Sequence, residues 1–349
     1  MAFDPQREDY QRLGLRFAKS LDTSGEANAT RAFASFGRRF AQDRDSLPQS
    51  DSDRAFHLVA MATKLIDYEL PFANDDHAQQ LIESGHRLLD EALSLDARCY
   101  DALRMKTAAI SASFEAFYAF LGERVDEVRS YCEEQRAAAT VDENGERARL
   151  LAGLAMRPYL RWRATQAEQA LICGRNKEAL VIAQDCLSVD EHDAADIRFT
   201  ASLAFAKLED EQGLEAMHAR LGAKGRLRPA TDAWTTLARL ALAFKSCDFD
   251  GARQQIKALL HAYPHAAEAL IRQNELPDGV FARLAVLPFS EDELILALSE
   301  GTVLLQEGVD PEGRGVLSTW VMQEVAQMRP QAMLAVMAAQ AEQNTERPQ

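Results

Sequence analysis

The chain has 349 residues, 47% of them hydrophobic, and sets 39 Lys and Arg against 54 Asp and Glu for a net charge of −15. Such a charge repels nucleic acid and anionic membrane surfaces, so neither is an expected partner. No run of about 18 apolar residues marks a membrane span, and the opening MAFDPQREDYQRLG lacks the apolar core of a secretory signal; the expected location is cytoplasmic. The five cysteines, Cys99, Cys132, Cys173, Cys186 and Cys247, are odd in number and form no CxxC. They read as small buried hydrophobes in a reducing compartment.

Residues 1–50 read as a helical extension. Tyr10, Leu13 and Phe17 mark a first helix, and Phe33, Phe36 and Phe40 a second. Their phenylalanines favour docking over exposure. Asp43 to Asp53 is polar, contains proline and reads as a loop. Residues 51–156 read as degenerate helical repeats. A helix from Asp53 runs through Leu70 to Pro71, and Asp75 or Asp76 caps the next. A single Ala- and Phe-rich helix is expected over 98–121, broken by Gly122, followed by a helix over Val125 to Ala139.

Residues 157–264 carry the clearest pattern. Displaced by 34 residues against itself, the stretch sets Ala167 on Ala201, Ala170 on Ala204, Ala179 on Gly213 and Ala183 on Met217. That is the length of a tetratricopeptide repeat, two antiparallel helices that cannot bury their apolar faces alone. Small residues let the two backbones close up. Gly174, in the turn Cys173–Asn176, is placed to take positive φ after the first helix. Leu221 to Pro229 is a basic connection. Thr231 and Asp232 cap a helix carrying Trp234, Leu237 and Ala241, and Cys247–Asp250 turns into a helix ending before Pro264. Residues 265–343 read as an irregular helical cap with turns at Leu276–Gly279 and Asp310–Gly313 and one helix over Glu291–Leu305. Residues 344–349 read as a frayed tail. The expected fold is all-α: a TPR-like right-handed α-solenoid of antiparallel helix pairs with irregular terminal helices.

The order of these pieces resembles one family. Arg157-Pro158-Tyr159-Leu160-Arg161, Gly174-Arg175-Asn176-Lys177-Glu178-Ala179, His192 to Phe199, Ala233-Trp234, Tyr263-Pro264-His265-Ala266 and Leu276-Pro277 follow one another. This succession is similar to that of the bacterial tetratricopeptide-repeat proteins related to the suppression-of-tumorigenicity protein seven. It differs at Ala195, Asp196 and Ala267. The resemblance implies a repeat array and protein contacts, and no catalytic residue.

No nucleotide, metalloprotease or nucleophile-elbow motif occurs. His261 and His265 stand four apart, but Pro264 between them ends the helix that a metal pair needs. No cofactor is expected. In a repeat array the first helices of successive pairs line one groove, and Arg161, Arg198 and Arg239 fall at matched positions, with Phe205 deeper in the frame. These are the candidate binding residues. Guanidiniums there suit an acidic segment or a C-terminal carboxylate; the alternative is that they pair with the chain's own acids. The expected function is a non-catalytic protein- or peptide-binding scaffold, or alternatively a peptide-responsive regulator whose array changes shape on binding. The oligomeric state is open.

Overall fold

The computed structural model describes residues 4–21, 26–141, 143–190, 192–225, 231–273, 285–308 and 315–346. Among these, the regular elements are helices and there is no β-strand. No described helix is long and apolar enough to cross a membrane. The chain divides into two compact units, Phe3–Thr165 and Gln166–Gln349. The division falls inside a helix, not in a connection, because Gly145–Ile172 is one continuous helix that carries Pro158 without ending.

The first unit begins with α1 (Pro5–Ser20). Asp4 caps it, accepting from the Arg7 N–H, and Pro5 occupies the first turn, where a missing N–H costs nothing. Helix α2 (Glu26–Gln42) follows. Leu13, Phe36 and Leu47 are buried together, with Phe17 and Phe40 packed against them. The N-terminal helices therefore dock, and α1 packs on α3 (Asp51–Thr63). Ser50 and Asp53 form a reciprocal capping box at the start of α3.

Beyond Thr63 the chain does not continue as the α-helix expected to Leu70. It widens into a π-helical turn over Lys64–Glu69 and tightens to a 3₁₀ turn at Leu70–Phe72. Ile66 of the wide turn packs into the notch at Gly85 of α4 (Asp75–Leu95), where a Cβ would lie 2.7 Å from Ile66 Cδ1. The helix expected over 98–121 is two helices, α5 (Tyr100–Ile110) and α6 (Phe114–Glu123). The reason is local: the Ser111 hydroxyl bonds back to the Thr107 carbonyl, and the Ser113 side chain accepts from the Ala116 N–H to start a new helix. Helix α7 (Val125–Thr140) leads to α8 (Gly145–Ile172).

The second unit holds α9 (Asn176–Val189), α10 (Ile197–Lys207), α11 (Glu211–Ala223), α12 (Ala233–Lys245) and α13 (Phe249–Ala262). The turns after α8, α10 and α12 are built alike. Gly174, Glu209 and Cys247 take φ of 74°, 58° and 62°. The next N–H in each case reaches back five residues: Arg175 to Ala170, Asp210 to Phe205, Asp248 to Ala243. This is the paired closure of a Schellman turn. Asp210 and Asp248 then cap α11 and α13 by accepting from Gly213 and Gly251.

Helices α10 and α12 run side by side in the same direction. Phe199 stacks on Trp234 at their starts, and Lys245 Nζ reaches the Ala206 carbonyl at their ends. Ala167, Ala170, Ala201, Ala204, Ala179 and Ala183 are all buried, so the small residues paired by the 34-residue offset sit in packed positions.

Helices α14 (Ala266–Ile271), α15 (Glu291–Glu300), α16 (Thr302–Leu305), α17 (Val316–Met328) and α18 (Pro330–Glu346) complete the unit. The helix expected over Glu291–Leu305 breaks at Gly301. Backbone there packs so close to α12 that a Cβ would come within 3.2 Å of Leu237 Cδ1. The turns expected at Leu276–Gly279 and Asp310–Gly313, residues 226–229 of the basic connection and residues 347–349 of the tail lie outside the described residues.

Candidate functional site

Arg161 lies in the first unit, on the part of α8 that faces α1 and α5. Its Nε and Nη2 bond the two Asp101 oxygens at 2.7 and 2.5 Å, and its Nη1 bonds Glu8 Oε2 at 2.8 Å. Arg157 and Arg12 also reach Glu8, and Arg104 lies 3.7 Å from Asp101. Beside this, Asp9 is held by Arg44 and by His57 Nδ1. Both Glu8 and Asp101 are buried. Burial alone would push the Glu8 carboxyl up, but the guanidiniums of Arg161, Arg12 and Arg157 outweigh it and hold the group down at about 2. Asp101 is likewise pushed up by burial, yet ends below its ordinary value because of Arg161. The Phe56 ring lies under Arg12 at 4.0 Å. Arg161 is thus a clamp between N-terminal and central helices, fully engaged by carboxylates of its own chain.

Arg198 and Phe205 lie on α10 and Arg239 on α12, in the second unit. Asp193 takes φ 52° and Asp196 φ 51° in the turn before α10. Asp193 caps the helix by accepting from the Ile197 N–H at 2.7 Å, and Arg198 Nη1 bridges Asp193 and Asp196 at 2.7 and 2.6 Å. Burial, set against Arg198 and reinforced by Asp196, pushes Asp193 up to about 6. Arg239 makes a bidentate pair with Glu215 of α11 at 2.7 and 2.8 Å, which holds Glu215 below its ordinary value. Phe205 is 5% exposed and packs against Gly213, where a Cβ would come within 2.4 Å of its ring.

These placements revise what the matched positions promised. All three guanidiniums already hold carboxylates of the chain, and Phe205 is core. The face of α10 and α12 is also covered. Ile197 to Ala206 are buried without interruption. The segment α15–α16 lies on that face: Trp234 Nε1 donates to Glu300 Oε2 at 2.6 Å, and Lys207 Nζ donates to the Val303 carbonyl at 3.1 Å. Leu294, Leu298, Leu304 and Leu305 fill the space with at most 3% exposure, which makes them core residues. Nothing local in the sequence of 291–305 says which surface it covers.

One buried relay has the outline of a catalytic triad and is not one. His218 Nε2 lies 2.9 Å from Thr235 Oγ1, which donates to Asp232 Oδ2 at 3.2 Å. A hydroxyl donating to Asp232 accepts from His218, so it is not being deprotonated by the imidazole. Thr235 has no exposure, and burial holds the His218 pKa below its ordinary value, so the ring stays neutral. The relay ties α11 to the cap of α12.

Among the described residues no group of three or more His, Cys, Asp or Glu could hold a metal ion. His261 ends α13, whereas His265 sits at a left-handed cap of α14, so the two do not share a helix. Cys132 and Cys186 are buried and Cys99 and Cys173 partly so, as small hydrophobes should be. Cys247 departs from that expectation: it is exposed, at the tip of the turn after α12.

Comparison with protein-family models, with curated proteins and with solved structures finds no match to this chain.

Proposed function

We propose that this chain is a non-catalytic scaffold that binds a protein or peptide, and that residues 166–264 are a TPR-like stack of antiparallel helix pairs. The observation that carries the proposal is the recurrence of one turn: a left-handed residue at Gly174, Glu209 and Cys247, each closed by the same reach-back bond and each followed by a second helix. Recurrent helix pairs stack on their neighbours and build extended surfaces, which is how such arrays engage partners.

The inner face of α10 and α12 is not the contact surface in this account, because α15–α16 occupies it. A partner meets the outer helices or the C-terminal helices instead.

The test is cross-linked capture from native lysate, followed by reconstitution of each captured protein in purified form with the full chain. Saturable binding of at least one purified partner at fixed stoichiometry is expected. If every captured protein fails to rebind once purified, the scaffold proposal falls.

A further inference from the structure

A cleft of about 620 Å³ opens in the second unit between the end of α13, the start of α14 and the α17–α18 corner. Its volume suits a small ligand or the end of a peptide, on the scale of roughly 300–1,000 Å³ for such sites. The lining is mixed, about half polar and half apolar: Leu260, Ala266 and Met328 supply apolar surface, and Tyr263, His265, Glu268 and Arg329 supply the charge and hydrogen-bonding capacity.

The cleft differs from the chain's ion-paired arginines, two of them buried and two near the surface. Arg161, Arg198, Arg239 and Arg253 each hold a carboxylate of the chain. The exposed Arg329 side chain instead makes one long hydrogen bond, 3.4 Å, to the carbonyl of its neighbour Met328, and pairs with no carboxylate among the described residues. The Tyr263 hydroxyl is committed to Glu293. Glu268 is the single acid on the lining. A guanidinium without a carboxylate partner, beside the apolar surface of Leu260, Ala266 and Met328, fits one kind of ligand: a single negative charge carried on a partly apolar body. One guanidinium opposed by one carboxylate favours a monoanion over a phosphate dianion.

We propose that this cleft binds a carboxylate carried on a short apolar group, with Arg329 as its anion-binding residue. Two sources carry that chemistry, the C-terminal residue of a peptide and a free small acid. The peptide end rests on the scaffold reading above and gives it a location.

The test uses the full chain and fluorescence polarisation. The probe is a fluorescein-labelled hexapeptide ending in Ala-Leu with a free α-carboxylate, compared with its C-terminal amide. The free acid binds saturably and the amide at least about tenfold more weakly, since it lacks the charge that a guanidinium pairs with. Arg329→Gln lowers the affinity for the acid to that for the amide. Glu268→Gln raises it, because a repelling charge is gone. His265→Asn is the third variant, chosen because asparagine tolerates the left-handed backbone there; it weakens binding of the acid and leaves the circular dichroism spectrum unchanged. N-acetylleucine displacing the peptide at equal affinity assigns the site to small acids, and displacement only at far higher concentration assigns it to peptide ends; both sustain a carboxylate site. Equal binding of acid and amide, or an Arg329→Gln variant that binds the acid normally, overturns it while leaving peptide binding standing. No binding of either probe at millimolar concentration, with a reconstituted partner still bound, overturns the cleft alone.

Discussion

The Phe199 ring lies flat on the Trp234 indole, with centroids 4.0 Å apart and planes 9° from parallel. Arg198 sits 4.1 Å over the outer face of Phe199, and the Trp234 N–H ends in the buried carboxylate of Glu300. One line of contacts therefore ties the turn before α10 to α12 and on to α15. Each link is of a kind that contributes individually about 0.5–2 kcal/mol.

Trp234→Phe keeps the stack and removes the donor to Glu300. A buried carboxylate that loses a hydrogen bond costs about 1–3 kcal/mol. Chemical denaturation should show a lower midpoint and an unfolding free energy reduced by that amount. An unchanged midpoint would mean that this bond contributes nothing to holding α15 on α12.

The Glu8 network makes stability depend on acid in a defined window. Glu8 has a folded pKa of about 2 against an ordinary value of 4.5. The folded state therefore favours the carboxylate, so its contribution is complete above about 4.5 and is lost as pH falls from there toward 2. The scale is about 3 kcal/mol, from about 1.4 kcal/mol per pKa unit. Glu8→Gln should lower stability at pH 7 by a similar amount and flatten the decline between pH 4.5 and 2. Parallel stability–pH curves for the two proteins would contradict the network.

The candidate arginines should separate on mutation according to burial. Arg161→Ala strands Glu8 and Asp101 and should destabilise by about 3–5 kcal/mol. Arg239→Ala breaks a pair whose Glu215 side chain is 49% exposed and should cost no more than about 1 kcal/mol. Thermal melts of both decide it, and equal losses would contradict the assignment.

The repeated turn predicts a gain. Cys247 is exposed and holds a left-handed backbone that costs a non-glycine residue about 1 kcal/mol. Cys247→Gly should raise the melting temperature, and Gly174→Ala should lower it. A Cys247→Gly variant that melts earlier would show that the side chain makes contacts of greater value than the strain.

Much of this architecture was legible in the residues. The alanines that the 34-residue offset aligns are buried, and Gly174 announced its left-handed turn. Glu209 and Cys247 hid the same turn, because neither residue type signals positive φ. Ser111 and Ser113 broke a helix that its Ala and Phe content promised to continue. The candidate arginines stood at real structural positions, but sequence spacing could not show what each one meets. Arg161 finds Glu8 across 153 residues, and no local pattern encodes a partner that far away. The covering of α10 and α12 was hidden for the same reason: Leu294 and Leu298 show that α15 buries an apolar face, and only tertiary packing says against what.

The central proposal is that residues 166–264 are stacked helix pairs whose α10–α12 face is closed by the chain's own α15–α16, and native-state amide hydrogen exchange tests it most directly. If the claim holds, amides of α15 exchange only through the same opening that releases α10 and α12, with one shared free energy and one shared denaturant dependence. If α15–α16 exchanges by a separate, far lower-energy opening while α10 and α12 stay protected, the segment is a detachable occupant, the inner face is available to a partner, and the closed-stack account is wrong.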